Sequence, residues 1–394
     1  MKRHKFYHAV VVFIFLFAFG ACTYAQEVNR LLSFENGILQ NTDQIGTLPT
    51  RSTVDGGEQY YRIDFSFTGA VISTINEEGN DYDILNIDGF GKMGQVGAPA
   101  LPAHNEVIAM PPGANGRIVI LNIEYHEYNG YRIYPALEPA RDTEGAPEPE
   151  FWIDESIYNK NEYFPKSIVE ITDVGLRRGI PLAMTQIRPV QYNPVTGKIR
   201  VYTKIDFRIE YEGGTSFSEI AKGNSIHFTN LLKRNVINST NIPDGMVRNT
   251  DSKSPVNKEY VIITHNQYVT AAQALANWRR QLGQSVYVCA SSSWTAAQVA
   301  DSLQDWYDTW TPKPDYFVII GDHTGSYAVP GDVINTPYSP PDDGPFATDL
   351  YHACFDGGSD WHPDIAWGRI SVSTLAEANV VVNKIINYEQ TPPT

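Results

Sequence analysis

Four aspartates stand where a cation would find oxygen ligands. Asp356, Asp360 and Asp364 recur at i, i+4, i+8 within FDGGSDWHPD, and Asp322 follows the apolar run Tyr316–Ile320. Carboxylates at this density, beside carbonyls that Gly and Pro leave exposed, suit the roughly six to eight hard oxygens that calcium takes. The spacing is not that of an EF-hand, and a solvated acidic turn would show the same residues.

A second chemistry uses sulfur. His352 and Cys354 lie two residues apart and would share one face of a strand, with His323 and His362 nearby. A thiol–imidazole dyad needs the two groups to face each other beside an oxyanion-stabilising turn. Strand neighbours stand side by side, and no such turn flanks Cys354, so a packed thiol is the simpler reading. Cys289, after the apolar run Ser285–Val288, reads as a buried free thiol. No phosphate-binding glycine loop opens a helix, and GxSxG and HExxH are absent.

The elements that must position these groups begin at Tyr260. Tyr260–Thr264 and Ser285–Val288 read as buried strands, Tyr316–Ile320 as a third and Ile365–Arg369 as a fourth. Between them Val269–Leu282 carries helical periodicity, stopped by Gly283. A second helix follows the capping box Thr295/Gln298, and a third follows Thr374/Glu377 and reaches about Tyr388. Alternation of strand and helix implies a parallel sheet with right-handed crossovers. Sites in such sheets form at the carboxyl ends of the strands, where Asp322 stands. About four strands make an incomplete sheet, so we expect residues 259–394 to be the N-terminal part of a larger domain.

Upstream the texture is all-β. Residues 56–215 contain short alternating runs, among them Tyr61–Phe67, Arg117–Ile123 and Ile199–Tyr211, separated by Gly, Pro, Asn and Asp. Tyr202, Ile205, Phe207, Ile209 and Tyr211 alternate, with a register change near Thr203. A sandwich-like domain is expected there. Residues 26–55 read as a poorly ordered lead-in. Residues 216–258, rich in Gly, Ser, Asn and Lys, read as a linker open to proteolysis.

Composition bounds the function. A 42% apolar content supports packed cores, and a net charge of −15 argues against nucleic acid as a partner. Met1–Lys5 is basic, Ala9–Phe19 is apolar, and Thr23-Tyr24-Ala25 fits a signal-peptide cut near Ala25. The apolar run, roughly 11 residues against the ~20 of a span, is too short for a stable membrane anchor. Export to the medium or the cell surface is expected.

VIIGDH, TDLYHACFDG and HPDIAWGRISVST, with a helix ending in INYE, resemble the first part of the catalytic domain of the gingipain family of cysteine peptidases. Gly97–Pro102 (GAPALP) and Ile108–Ala114 (IAMPPGA) resemble stretches of that family's propeptide. The likeness covers most of the chain after the leader. It implies an α/β caspase-like fold, here an incomplete parallel sheet with flanking helices, preceded by an all-β sandwich-like prodomain.

It also implies a secreted zymogen acting on protein or peptide substrates, with its own prodomain as intramolecular inhibitor. The family's Cys nucleophile and its His match no position of this sequence and are expected beyond Thr394. A structural calcium is implied, with Asp322, Asp360 and Asp364 as carboxylate ligands. His362 and a residue near Phe355 would add backbone carbonyls. Asp364 replaces the family's usual Glu and is one methylene shorter. Activation is implied at Arg248, with Lys233-Arg234 as second choice. A non-catalytic secreted binding or secretion-machinery protein on the same scaffold is the alternative, and the residues after Thr394 discriminate the two.

Overall fold

The computed structural model describes residues 29–140, 145–246, 257–334, 345–357 and 360–392. The expected leader and Arg248 lie outside these residues. No described helix is long and apolar enough to cross a membrane.

The upstream part holds three antiparallel sheets around one core. Its longest strands, Ala114–Asn129 and Lys198–Gly213, pair along their whole length. The alternation read around Thr203 is seen directly. Ile205, Phe207 and Ile209 are buried, and the register shifts between Tyr202 and Lys204. A bulge of this kind resets which face each following side chain meets.

Two expectations need correction. Residues 29–55 are not a loose lead-in. Arg30–Ser33 adds to Gly69–Glu77, Thr50–Gly56 adds to Tyr60–Ser66, and Leu32 and Phe34 are fully buried. Each such side chain contributes about 2 kcal/mol of apolar transfer, which few-residue polar segments do not advertise.

Nor is 216–258 a plain linker. Ser218–Ala221 and Ile226–Asn235 are helices, and Phe217, Ile220, Phe228, Leu232, Val236 and Ile242 bury against Ala109 and Ile180. The Ser225 side chain caps the longer helix by accepting from the Phe228 amide. Phe228, Leu232 and Val236, at i, i+4, i+8, carried that signal in the sequence.

The downstream part is a four-stranded parallel sheet. Its spatial order is Val286–Ser291, Tyr260–His265, Tyr316–Ile320, Ala366–Ile370. Val269–Gln281 and Leu375–Gln390 cover one face through Leu275, Ala378 and Val382. Ala296–Thr309 covers the other through Val299 and Leu303. Both expected capping boxes, Thr295/Gln298 and Thr374/Glu377, are formed.

Candidate metal centre at the amino ends of the strands

Parallel pairing decides which aspartates can meet. Tyr316 aligns with Ala366 and Ile320 with Ile370, so Asp322 lies past one end of the sheet and Asp364 before the other. A five-residue strand, about 16 Å at 3.3 Å per residue, separates them. Asp322 therefore cannot join the cluster. Its carboxylate accepts from the His323 amide at 2.8 Å and from Ser373 Oγ at 3.4 Å.

Asp356, Asp360 and Asp364 do converge, with one oxygen of each within 4.8 Å of the others. Two backbone amides of the loop itself, from Asp356 and His362, bond Asp360 at 3.2 and 2.9 Å. The Phe355 amide bonds Asp364 Oδ2 at 2.7 Å. Phe355 and His362 thus touch the cluster through their amides, as donors to its carboxylates. Asp364 is buried, and burial first, then the charges of Asp356 and Asp360, push its carboxyl up to about 7 despite amide bonds from Arg178 and Phe355. Hard oxygens from three carboxylates, one of them buried, would suit a divalent cation, whose charge would relieve that repulsion.

The upstream part reaches this same loop. Val169–Arg177 and Ile180–Ile187 form a hairpin whose two-residue turn is Arg178-Gly179, with φ of 52° and 68°. Such a turn matches strand twist but suits glycine far better than arginine at its first position. The Arg178 amide bonds Asp364 Oδ1, and the Gly179 amide bonds Asp356 Oδ2 at 2.9 Å. Five of the six carboxylate oxygens thus accept an amide.

The Arg178 side chain is fully buried. Its Nε donates to the Asp364 carbonyl at 2.7 Å, Nη1 to Asn224 Oδ1 and Asp315 Oδ1 at 3.3 Å each, and Nη2 to the Pro314 carbonyl. The Phe228 ring lies 4.1 Å from the guanidinium carbon. Removing one partner of such a buried pair costs about 3–5 kcal/mol.

Sequence reasoning passed over Arg178, Asp315 and Glu259. A signal existed: an acid stands just before three of the four strands, in KEYVII, PDYFVII and PDIAWGR. Glu259, Asp315 and Asp364 are all buried at one end of the sheet.

The profile of the C25 propeptide matches residues 45–242, half of the chain, and that of Peptidase family C25 matches residues 253–394. The chain belongs to peptidase family C25.

This C25 chain is 22% identical to Lys-gingipain of Porphyromonas gingivalis over 365 residues, 87% of the chain and 20% of the relative. It is 20% identical to gingipain R2 of the same organism over 300 residues, 75% of the chain and 39% of the relative. It therefore spans a minor part of both relatives. Two solved structures are also similar. The complex of P. gingivalis RgpB pro- and mature domains has a TM-score of 0.41 at 17% identity, covering 48% of this chain and 97% of that one. A structure addressing zymogenic latency of gingipain K has a TM-score of 0.36 at 22% identity, covering 43% and 96%.

Neither described cysteine of this C25 chain is placed to attack a carbonyl. Leu350–Ala353 is a 3-10 turn, so His352 and Cys354 do not share a strand face as expected. The Cys354 thiol donates to the Leu350 carbonyl at 3.4 Å, while His352 Nδ1 faces Asp332 at 3.5 Å. Burial, then Asp360, Asp364 and Asp356, push the Cys354 thiol up to about 12. Burial also raises the Cys289 thiol. A thiol held protonated is a poor nucleophile.

Proposed function

We propose that this chain is the propeptide and first part of the peptidase domain of a secreted cysteine-type endopeptidase precursor. The observation that carries the reading is the order of the two families in one chain, propeptide and then peptidase. The peptidase part would supply the opening strands of a caspase-like sheet. The thiolate and its activating histidine would come from the remainder of the precursor and attack a peptide carbonyl of a protein substrate.

The propeptide acts as intramolecular inhibitor until the connection is cut. Arg248 is the better of the two expected sites. Lys233-Arg234 lies in the helix Ile226–Asn235, with Lys233 Nζ 2.5 Å from Asp244, and cutting there requires unwinding a helix that buries Phe228 and Leu232. Calcium is assigned a structural role, held by Asp356, Asp360 and Asp364 with carbonyls near Phe355 and at His362. It would neutralise the loop that precedes the edge strand.

Expression of the complete open reading frame tests the reading. A thiol-reactive peptide probe should label the precursor only after the propeptide is removed, and at a cysteine other than Cys289 and Cys354. Absence of labelling in any form would favour a non-catalytic secreted protein on the same scaffold.

A further inference from the structure

The amino ends of three adjacent parallel strands carry a rim of buried acids, and the propeptide part answers each of them. Glu259 is met by His227 Nε2 at 3.0 Å, and Asp315 by Ser225 Oγ at 2.6 Å and by Arg178. Asp364 receives the Arg178 amide, and its carbonyl receives Arg178 Nε. Asp356, in the loop beside them, receives the Gly179 amide. The Lys313 amide donates to the Gly223 carbonyl at 3.1 Å, and the His362 ring packs so closely on Gly175 that a Cβ there would lie 2.1 Å from it.

We infer that this acidic rim is the surface by which the peptidase part recognises its propeptide, with Arg178 as the anchor that retains the propeptide after the connection is cut. The inference rests on the propeptide reading given above. Three features support it. Buried carboxylates need donors, and here the other family segment supplies at least one to each of Glu259, Asp315 and Asp364. Arg178 holds a left-handed φ of 52°, a costly conformation for a residue with a Cβ, which keeps its amide and guanidinium on one target. The rim also lies at the opposite end of the sheet from the carboxyl-end crevice where α/β sites form, so recognition is separable from the reaction centre.

The test uses the chain from residue 26 onward, with a site-specific protease sequence placed within 247–256, nicked after folding. Dissociation of the two fragments is followed by size-exclusion chromatography across a dilution series. Arg178→Gly keeps a turn whose φ glycine adopts freely and deletes the guanidinium. Asp315→Asn tests the peptidase side without changing shape. Each is expected to weaken retention about thirtyfold or more, as for truncated buried charge pairs. Arg117→Ala, which removes an exposed arginine paired with Glu210 and Glu212 inside the propeptide part, should leave retention unchanged.

Circular dichroism confirms that each variant is folded. If wild type stays together and both rim variants match it, the anchor is overturned while the propeptide reading stands. If Arg117→Ala weakens retention as much as Arg178→Gly, general charge and not the rim holds the fragments, which also overturns the anchor. Wild-type fragments that part at once overturn the anchor and leave the propeptide reading to the labelling test of the complete open reading frame.

Discussion

Arg178 Nε lies 2.7 Å from the carbonyl oxygen of Asp364, across 186 residues of chain. That bond joins the tip of a propeptide hairpin to the loop in which three aspartates converge. The same carboxylates therefore serve two purposes: they accept amides from the propeptide, and they form the candidate cation site.

Asp360 separates these purposes, because among the described residues its oxygens accept from the Asp356 and His362 amides of its own loop. Millimolar calcium is expected to raise the melting temperature of the wild-type chain over that in chelator. A ligand that binds only the folded state at about 100-fold its Kd adds about 2.7 kcal/mol. Asp360→Asn should abolish the shift while retaining the propeptide contacts. An unchanged wild-type melting temperature in differential scanning calorimetry would remove calcium from this loop.

Cys354 should resist alkylation in the native chain. A thiol held at about 12 instead of the ordinary 9.0 has a roughly thousandfold smaller thiolate fraction at pH 8. Iodoacetamide labelling followed by mass spectrometry is expected to be far slower at Cys354 in native protein than in urea. Labelling at the unfolded rate would show that the thiol is neither buried nor flanked by the aspartates.

The propeptide part carries a pH-sensitive pair. His104 Nε2 lies 3.1 Å from Glu106, and its Nδ1 lies 2.8 Å from the Gly89 carbonyl. The Glu106 contact is the largest cause that raises the His104 pKa above its ordinary 6.5. Burial pushes the Glu106 carboxyl up, but His104 and Arg51 outweigh it and hold the carboxyl below its ordinary 4.5. The raised histidine stabilises the fold fully below pH 6.5 and ceases to do so as pH rises through its folded value. The lowered glutamate stabilises it above pH 4.5 and ceases to do so as pH falls. Urea midpoints should therefore separate wild type from His104→Gln more at pH 5.5 than at pH 8.5. An equal gap at both values would mean the imidazole is neutral throughout.

What could be read directly were the local features. The two capping boxes use residues three apart, and the alternation from Ile205 to Ile209 reflects a single strand, so both are written in adjacent positions. The strands Arg30–Ser33 and Thr50–Gly56 escaped notice because they are defined by partners elsewhere in the chain. The resemblance grouped Asp322 with Asp360 and Asp364 as ligands of one cation. The hidden variable was direction, since parallel pairing sends the end of one strand and the start of its neighbour to opposite poles.

By itself the amino-acid sequence determined the β-rich and then alternating β/α texture of the two main parts, their periodic elements and the acidic character of the Asp356–Asp364 loop, because propensity and charge act over a few residues. Only the tertiary structure decided which acids share a pole and that Arg178 is their counterpart. Contacts across such spans depend on strand order and on how the two parts dock, and spacing along the chain encodes neither.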